Sequence, residues 1–273
     1  MTNSIIGSLP YGIFVDSLDT VYAVSRSNNR IYMWSSKSTT STPTRTLSGG
    51  LSQPYSIFVT LAGDIYVDNG ASKKIVSKWT ENSTNSTIAM NVTGSCYGLF
   101  VDISDTIYCS LASYHKVLKS LTNNSTVQVE TAAGNGSAGA SADQLNSPRG
   151  IFVTLTFDLY VADCGNNRIQ LFSVSQTNGI TIPVNTSLNC PTSVLLDRSG
   201  YIFIVDSQKH RILGSDINGF RCIVGCSMTP GSLSTQLLYP QSMSFDSYGN
   251  IYVTDRNNNR IQRFSLNKNL CCK

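Results

Sequence analysis

Three glycines, Gly134, Gly136 and Gly139, stand in the G-x-G-x-x-G spacing typical of dinucleotide sites, directly after the strand-like run VQVETA. In such a site the glycine turn opens a helix, and the N-terminus of that helix holds the pyrophosphate. Here the chain continues through ASADQLNSP into the apolar run IFV, which leaves no room for a helix. The spacing therefore predicts a connection between strands, and no cofactor is expected.

Metal-dependent chemistry is disfavoured by the small number of candidate ligands. The chain has two histidines, His115 and His210, whereas a catalytic zinc site usually takes three protein ligands. The two glutamates, Glu81 and Glu130, fall beside a polar turn and in an outer strand. Hydrolase motifs of the G-x-S-x-G and H-E-x-x-H types are absent from the sequence. No metal site is predicted, although a calcium site built from aspartates stays open.

Acid and base residues recur five positions apart across a turn, as Asp163 and Arg168 do. The same spacing is found in two other pairs, Asp206 with Arg211 and Asp255 with Arg260. Either these residues form an acid/base set or they are structural ion pairs, and the recurrence favours ion pairs because such networks often mimic active sites. Another aspartate ends the first strand of four repeats and is predicted to cap its turn. These residues are Asp16, Asp102, Asp197 and Asp246.

The elements that position these residues repeat six times along the chain. The repeats start near residues 10, 54, 96, 148, 191 and 240 and cover residues 1–273 as one domain. Each repeat reads as four short strands, because β-branched and aromatic runs alternate with polar turns. This period is typical of a propeller blade. We expect an all-β, six-bladed propeller of four-stranded antiparallel blades, closed by residues 4–7 joining the three-stranded last blade.

The repeat resembles a known family. The pattern P-x-G-I-x-V-D followed by I-Y-V-A-D-x-x-N-N-R-I looks like the NHL repeat, and LYVADCGNNRIQLF and IYVTDRNNNRIQRF match it closely. Cys96 departs from the pattern by standing where the other repeats have proline. The resemblance implies a propeller but no single chemistry, since the family includes RNA-binding tripartite-motif ubiquitin ligases, a zinc-dependent peptide-amidating lyase domain, and ectodomains that only bind partners.

The eight cysteines favour an oxidising compartment, because no C-x-x-C pair suggests zinc or redox chemistry. The strand map predicts two disulfides, Cys96 with Cys109 and Cys164 with Cys190, and a small loop suits Cys222 with Cys226. Cys271 and Cys272 are adjacent and are not expected to pair with each other.

Glycosylation sequons also point to secretion. They lie at Asn82, Asn85, Asn91, Asn123, Asn124, Asn135 and Asn185. The sequence shows neither a signal peptide nor a membrane span. We expect an extracellular or secreted protein, or the ectodomain of a larger one. Charged residues make up 13% of the chain and the net charge is +4, without a basic block, so nucleic acid is not favoured as a partner.

The residues that open the first strands differ between repeats and are predicted to ring the channel mouth. They are Tyr11, Tyr55, Tyr97, Arg149, Thr192 and Gln241. Tyrosine and arginine are enriched at binding hot spots, but these side chains could equally pack over the small residues that follow them. His115 and His210 occupy the same turn position in repeats three and five, and both are predicted to be exposed to solvent. The other repeats have Asn29, Lys73, Asn167 and Asn259 at this position.

The sequence thus favours a non-catalytic binding module for an unknown protein or small ligand. An enzyme, either a peptide-amidating lyase or a calcium-dependent lactonase, and an RNA-binding propeller are the alternatives.

Overall fold

The chain forms a six-bladed β-propeller, as the repeat predicts. The structure is a computed structural model that describes residues 9–36, 38, 41–123 and 126–265. Within these ranges it contains five sheets of four antiparallel strands and one of three. Each first strand packs against the first strand of the next sheet, and the last of them packs against the first strand of the chain. The six sheets therefore close into a ring around a central channel.

Blades one to three follow one another along the chain. Blade one contains β1 (Pro10–Val15), β2 (Val21–Ser25), β3 (Arg30–Trp34) and β4 (Arg45–Leu47). Blade two contains β5 (Ile57–Val59), β6 (Ile65–Asp68), β7 (Ile75–Trp79) and β8 (Thr87–Asn91). Blade three contains β9 (Gly98–Val101), β10 (Ile107–Leu111), β11 (Lys116–Asn123) and β12 (Thr126–Ala133).

Blades four to six repeat the same order. Blade four contains β13 (Pro148–Val153), β14 (Leu159–Asp163), β15 (Arg168–Phe172) and β16 (Ile180–Thr181). Blade five contains β17 (Pro191–Leu196), β18 (Ile202–Asp206), β19 (Arg211–Asp216) and β20 (Gly219–Val224). The described part of blade six contains β21 (Pro240–Phe245), β22 (Ile251–Asp255) and β23 (Arg260–Phe264). The expected fourth strand of this blade, residues 4–7, lies outside the described residues and stays a prediction.

The turn between the second and third strands is helical in blades two to six. A single α-helical turn, Gly70–Lys73, occupies it in blade two. Short 3₁₀ turns occupy it in the next four blades, at Ala112–Tyr114, Cys164–Asn166, Ser207–Lys209 and Arg256–Asn258. The sequence had predicted no helix, and these turns are too short to show a helical period.

The hydrophobic core is divided among the interfaces between blades. The buried apolar residues of the described chain fall into six clusters, and each cluster joins two neighbouring blades. Trp34 and Trp79, both fully buried, belong to two of them. A single sheet buries one face only by packing on its neighbour, so the ring is stabilised blade by blade.

The predicted aspartate caps are present at the turn between the first two strands. Asp16 Oδ1, for example, accepts hydrogen bonds from the backbone N–H groups of Leu18 and Thr20 at 2.9 and 2.8 Å. Asp102, Asp197 and Asp246 accept the corresponding pair of hydrogen bonds in their blades.

Candidate functional site at the channel mouth

The residues that open the first strands meet at one end of the channel. All six predicted members line a single cavity of about 310 Å³: Tyr11, Tyr55, Tyr97, Arg149, Thr192 and Gln241. The connections between blades and the helical turns lie at this end, while the aspartate-capped turns lie at the opposite end, because neighbouring strands are antiparallel. We call the first end the channel mouth.

Small residues after the ring residues let the first strands approach closely. A Cβ atom placed on Gly12 would lie 2.9 Å from the Cα of Ser56, and one on Gly98 would lie 2.5 Å from the carbonyl oxygen of Arg149. A Cβ atom placed on Gly150 would lie 2.7 Å from the Cα of Ser193. These distances leave no room for a side chain, so the glycines fix the diameter of the channel just below the mouth.

The three tyrosines pack on one another. The ring centres of Tyr11 and Tyr55 are 4.8 Å apart, and those of Tyr55 and Tyr97 are 4.2 Å apart. Tyr11 is only 8% exposed and Tyr55 only 9%, and burial raises the pKa of the Tyr55 hydroxyl. The three rings thus form one wall of the mouth.

Three arginines complete this wall, and two of them were missed by sequence reasoning. The guanidinium carbon of Arg149 lies 4.0 Å from the ring centre of Tyr97, that of Arg26 lies 4.3 Å from the centre of Tyr55, and that of Arg256 lies 4.9 Å from the centre of Tyr11. Such stacking is the geometry of a cation–π interaction. We call this continuous wall of three tyrosines and three arginines the Tyr/Arg arc.

Arg26 and Arg256 occupy the first position after the second strand of blades one and six. The same position holds Asn69, Ala112, Cys164 and Ser207 in the other blades. The departure from the repeat was the sequence signal that could have identified both arginines.

The arginines of the arc lack anionic partners in the part of the chain that is described. The Nε atom of each is buried without a hydrogen-bond acceptor. Arg26 donates one hydrogen bond to the neutral side chain of Gln53 at 3.0 Å. The six ion pairs found among the described residues involve other cations. The mouth therefore carries positive charge that no ion pair among the described residues neutralises.

One buried carboxylate lies near the arc. Asp68 is fully buried and accepts hydrogen bonds from the backbone N–H groups of Cys96, Gly70 and Tyr55, at 2.8, 3.2 and 3.2 Å. Burial raises its pKa to about 7, against the effect of these N–H groups and of Arg26. Its oxygens are occupied by the backbone, so Asp68 joins blade two to blade three rather than pairing with an arginine.

The aspartates five residues before an arginine form buried ion pairs. Arg168, Arg211 and Arg260 donate through Nε to Asp163, Asp206 and Asp255 at 2.8, 2.8 and 2.7 Å, and all three carboxylates are fully buried. The other oxygen of each carboxylate accepts a backbone N–H group just before the first strand of the same blade. These groups hold the blade together and are not free to transfer protons to a ligand.

The prediction that both histidines are solvent-exposed turn residues is wrong. His210 is 8% exposed, and its Nδ1 accepts the backbone N–H of Tyr239 in the next blade at 3.1 Å. His115, half-buried, accepts the N–H of Ser147 in the same way at 3.2 Å. Both acceptors must be unprotonated. Burial lowers the pKa of His210.

The same contact joins other blades through asparagine. Asn29, Asn167 and Asn259 accept the backbone N–H groups of Gln53, Cys190 and Leu9 at 2.7, 2.8 and 2.9 Å. We call this hydrogen bond the interblade clasp. The clasp residues all have a left-handed backbone, with φ between 52° and 56°. In blade two the left-handed residue is Lys74, not the predicted Lys73, because the helical turn there is one residue longer.

The described residues form three disulfides. They join Cys96 to Cys109 within blade three, Cys164 of blade four to Cys190 before blade five, and Cys222 to Cys226 within blade five. Cys164 and Cys190 thus add a covalent bond to an interblade clasp. These pairs are consistent with an oxidising, extracellular environment. Cys271 and Cys272 lie outside the described residues.

The glycine-rich stretch contains no helix. Gly134 and Gly136 have φ values of +77° and +93°, and the chain runs through turns to β13. The stretch connects blades three and four, as predicted. The two glutamates lie away from the channel. Glu130 lies on the outer strand β12 and pairs with Lys119 at 2.9 Å, and Glu81 is exposed.

The described sequon asparagines are all exposed, namely Asn82, Asn85, Asn91, Asn135 and Asn185. Asn123 belongs to β11, but its side chain is not described, and Asn124 lies outside the described residues. Their glycosylation stays a prediction.

Within the described ranges no three histidine, cysteine, aspartate or glutamate side chains are grouped closely enough to hold a metal ion. No helix in these ranges is long and apolar enough to cross a membrane.

Comparison with known families supports the repeat assignment. The family model for the NHL repeat matches residues 237–264, which are blade six and the segment before it. The chain is a β-propeller whose last blade matches the NHL repeat. No curated protein sequence matches the chain.

Solved propellers resemble the chain over most of its length at low sequence identity. An auxiliary nutrient binding protein from Bacteroides thetaiotaomicron has a TM-score of 0.70 at 13% identity, covering 94% of this chain and 68% of its own. A catalytically inactive virginiamycin B lyase from Staphylococcus aureus, with quinupristin, has a TM-score of 0.63 at 13% identity, covering 98% and 88%. A nidogen/laminin complex has a TM-score of 0.61 at 16% identity, covering 77% and 76%. At these identities the likeness shows the fold alone.

Proposed function

We propose that this NHL-repeat propeller is a non-catalytic, extracellular binding module whose ligand or protein partner contacts the channel mouth. The observation that carries the proposal is the Tyr/Arg arc, a wall of stacked tyrosines and arginines at the open end of a cavity. Tyrosine and arginine dominate binding energy at recognition sites. The cavity volume of about 310 Å³ is at the small end of the range for ligand pockets.

The titratable groups near the mouth support binding over catalysis. The carboxylate of Asp68 is buried under backbone N–H groups, and His115 and His210 are committed as acceptors in the interblade clasp. Asp163, Asp206 and Asp255 are each bonded to an arginine. A general acid or base needs a free proton position within reach of the substrate. The carboxylates offer none, and Nδ1 of each imidazole is already an acceptor, which leaves only Nε2.

Two of the similar structures are named for binding, as an auxiliary nutrient binding protein and as a nidogen/laminin complex. A third is a lyase, so the experiment must also detect turnover. The three disulfides support the extracellular location.

The test is a ligand-observed NMR screen of a library of charged and neutral small molecules. Gln241→Trp, on the side of the mouth opposite Tyr97, fills the opening without changing its charge. Arg198→Gln, in an exposed turn at the opposite end of the channel, is the control. We expect library members that lose binding to Gln241→Trp but keep it with Arg198→Gln. The proposal fails if no member does so, or if a member is converted to product.

A further inference from the structure

The positive charge at the mouth is concentrated around one ring. The guanidinium carbons of Arg26 and Arg256 lie 5.7 and 4.9 Å from the centre of the same Tyr11 ring. Both cations therefore lie within about one Debye length of each other, roughly 10 Å at 0.1 M salt. Like charges at this distance repel, and no carboxylate among the described residues forms an ion pair with either arginine. An anion from solution would relieve the repulsion.

The stacking also orders the arginine side chains before a ligand binds. The tyrosine rings hold the guanidinium planes in place, so less side-chain entropy is lost when a ligand accepts a hydrogen bond. Arg149 lines the cavity itself, and no hydrogen bond to its guanidinium group is found within the described chain. Arg149 is therefore the donor best placed to contact a bound anion directly.

The cavity below the arc is apolar. Four phenylalanines, one from each of the first strands of blades one to four, stack along the channel wall with ring centres 4.9, 4.7 and 5.3 Å apart. They are Phe14, Phe58, Phe100 and Phe152. A ligand that enters the mouth therefore meets positive charge first and aromatic surface next.

The opposite end of the channel has the reverse charge. Its cavity is lined by Asp16, Asp64, Asp102 and Asp105 together with apolar side chains. One cation on that wall, Lys78, is paired with Asp64 at 2.7 Å. An anion approaching along the channel axis is thus attracted to one end and repelled from the other.

We propose that the channel mouth binds a small amphipathic anion, with a carboxylate, sulfonate or phosphate group on the Tyr/Arg arc and an apolar body in the channel. The inference rests on the proposed function and specifies its ligand class. A hydrogen bond from arginine to an anionic head group is strong and has a defined direction. The phenylalanine-lined cavity provides the apolar contact that a simple inorganic ion cannot use.

The probes share one aromatic body and differ in the head group. They are a naphthoate, a naphthalenesulfonate, a naphthyl phosphate and the neutral naphthalenemethanol, with inorganic sulfate and phosphate as anions that lack the apolar body. Titration calorimetry at low and high salt measures each affinity. We expect at least one aromatic anion to bind more tightly than both the neutral alcohol and the inorganic ions, and to weaken as salt is added. The preferred head group distinguishes the three anion chemistries.

Matched arginine variants test which side chains contact the bound anion. Arg149→Gln should weaken the preferred anion by about tenfold to hundredfold, the range for losing a hydrogen bond to a charged group. Arg149→Lys keeps the charge and should lose less. Arg256→Gln should weaken binding by a smaller factor, and Arg198→Gln at the opposite end should leave the affinity unchanged. Circular dichroism checks that each variant is folded.

Two results would overturn the inference. The first is equal affinity for the alcohol and the anions, and the second is an unchanged affinity of the folded Arg149→Gln variant. If the alcohol binds and Gln241→Trp abolishes that binding, the anion class is wrong while the proposed function stands. If library ligands bind but none is sensitive to Gln241→Trp, the proposed function itself is wrong. Should Arg149→Gln fail to fold, the salt dependence of wild-type binding and the Arg149→Lys affinity decide.

Discussion

Removing the disulfide between blades four and five tests whether the ring unfolds as one unit. The change is the double substitution C164A/C190A. The two cysteines are 26 residues apart, and a loop of that length restricts the unfolded chain enough to contribute about 3.5 kcal/mol to the free energy of unfolding. The clasp from Asn167 to the backbone N–H of residue 190, at 2.8 Å, does not depend on the cysteine side chain and should keep the variant folded.

The matched control is C222A/C226A. These cysteines are only 4 residues apart, so their loop contributes about 1.9 kcal/mol by the same relation. Urea unfolding under non-reducing conditions measures both losses. Trp34 and Trp79, fully buried in blades one and two, give a fluorescence signal that is remote from both disulfides.

The expected result is a larger loss for C164A/C190A than for C222A/C226A, detected by the remote tryptophans. The loop-entropy reasoning is refuted if the two variants lose the same stability. The picture of a cooperative ring is refuted if blades four and five unfold without changing the tryptophan signal, since a broken joint would then leave the other blades intact.

Three further predictions concern the blade contacts. Gly98→Ala places a methyl carbon 2.5 Å from a carbonyl oxygen of the next first strand, so overpacking should lower the free energy of unfolding by about 1–3 kcal/mol, and an unchanged melting temperature would contradict the close approach. Asp206→Asn leaves the buried Arg211 without its counter-charge and should lower the free energy of unfolding in urea by about 3–5 kcal/mol. Asp216→Asn breaks a more exposed ion pair and should lower it by less than about 1 kcal/mol. Similar losses for the two variants would refute this distinction between buried and exposed pairs. Burial lowers the pKa of His210 from 6.5 in the folded state, so the unfolded chain takes up the proton first as the pH falls. The contribution of His210 to the free energy of unfolding is therefore complete above about pH 6.5 and is lost as the pH falls through the lower pKa of the folded state. His210→Asn should reduce this dependence in unfolding curves measured across pH, and an identical pH profile would argue against the clasp.

The fold was predictable from the sequence because the same pattern of strands and turns recurs in every blade. The caps at Asp16 and its equivalents, the buried ion pairs and two of the disulfides followed from that alignment, since each depends on contacts within a blade or at a repeated boundary. The pairing of Cys222 with Cys226 was suggested only by their short spacing. The six residues at the channel mouth were located by the same argument.

The parts that sequence reasoning missed are contacts between blades. Arg26 stacks on Tyr55, which lies in the next blade, and no local pattern shows that the two meet. His210 was assigned to solvent because its turn is polar, but its left-handed backbone places the ring against the next blade, where it accepts a hydrogen bond. Asp68 was overlooked because alanine and valine occupy its position in blades four and five. The chemistry of the mouth therefore depends on the assembled ring.

The interblade clasp makes the joints between blades unequal in acid. Asparagine cannot be protonated in this range, so the joints made by Asn29, Asn167 and Asn259 persist as the pH falls. The joint made by His210 loses its acceptor once the imidazole is charged. It joins blades five and six, and blade five is tied on its other side to blade four by a covalent bond. Acidification would thus weaken the ring at one edge of this linked pair of blades, where the hydrophobic cluster between blades five and six remains as the contact that holds the joint.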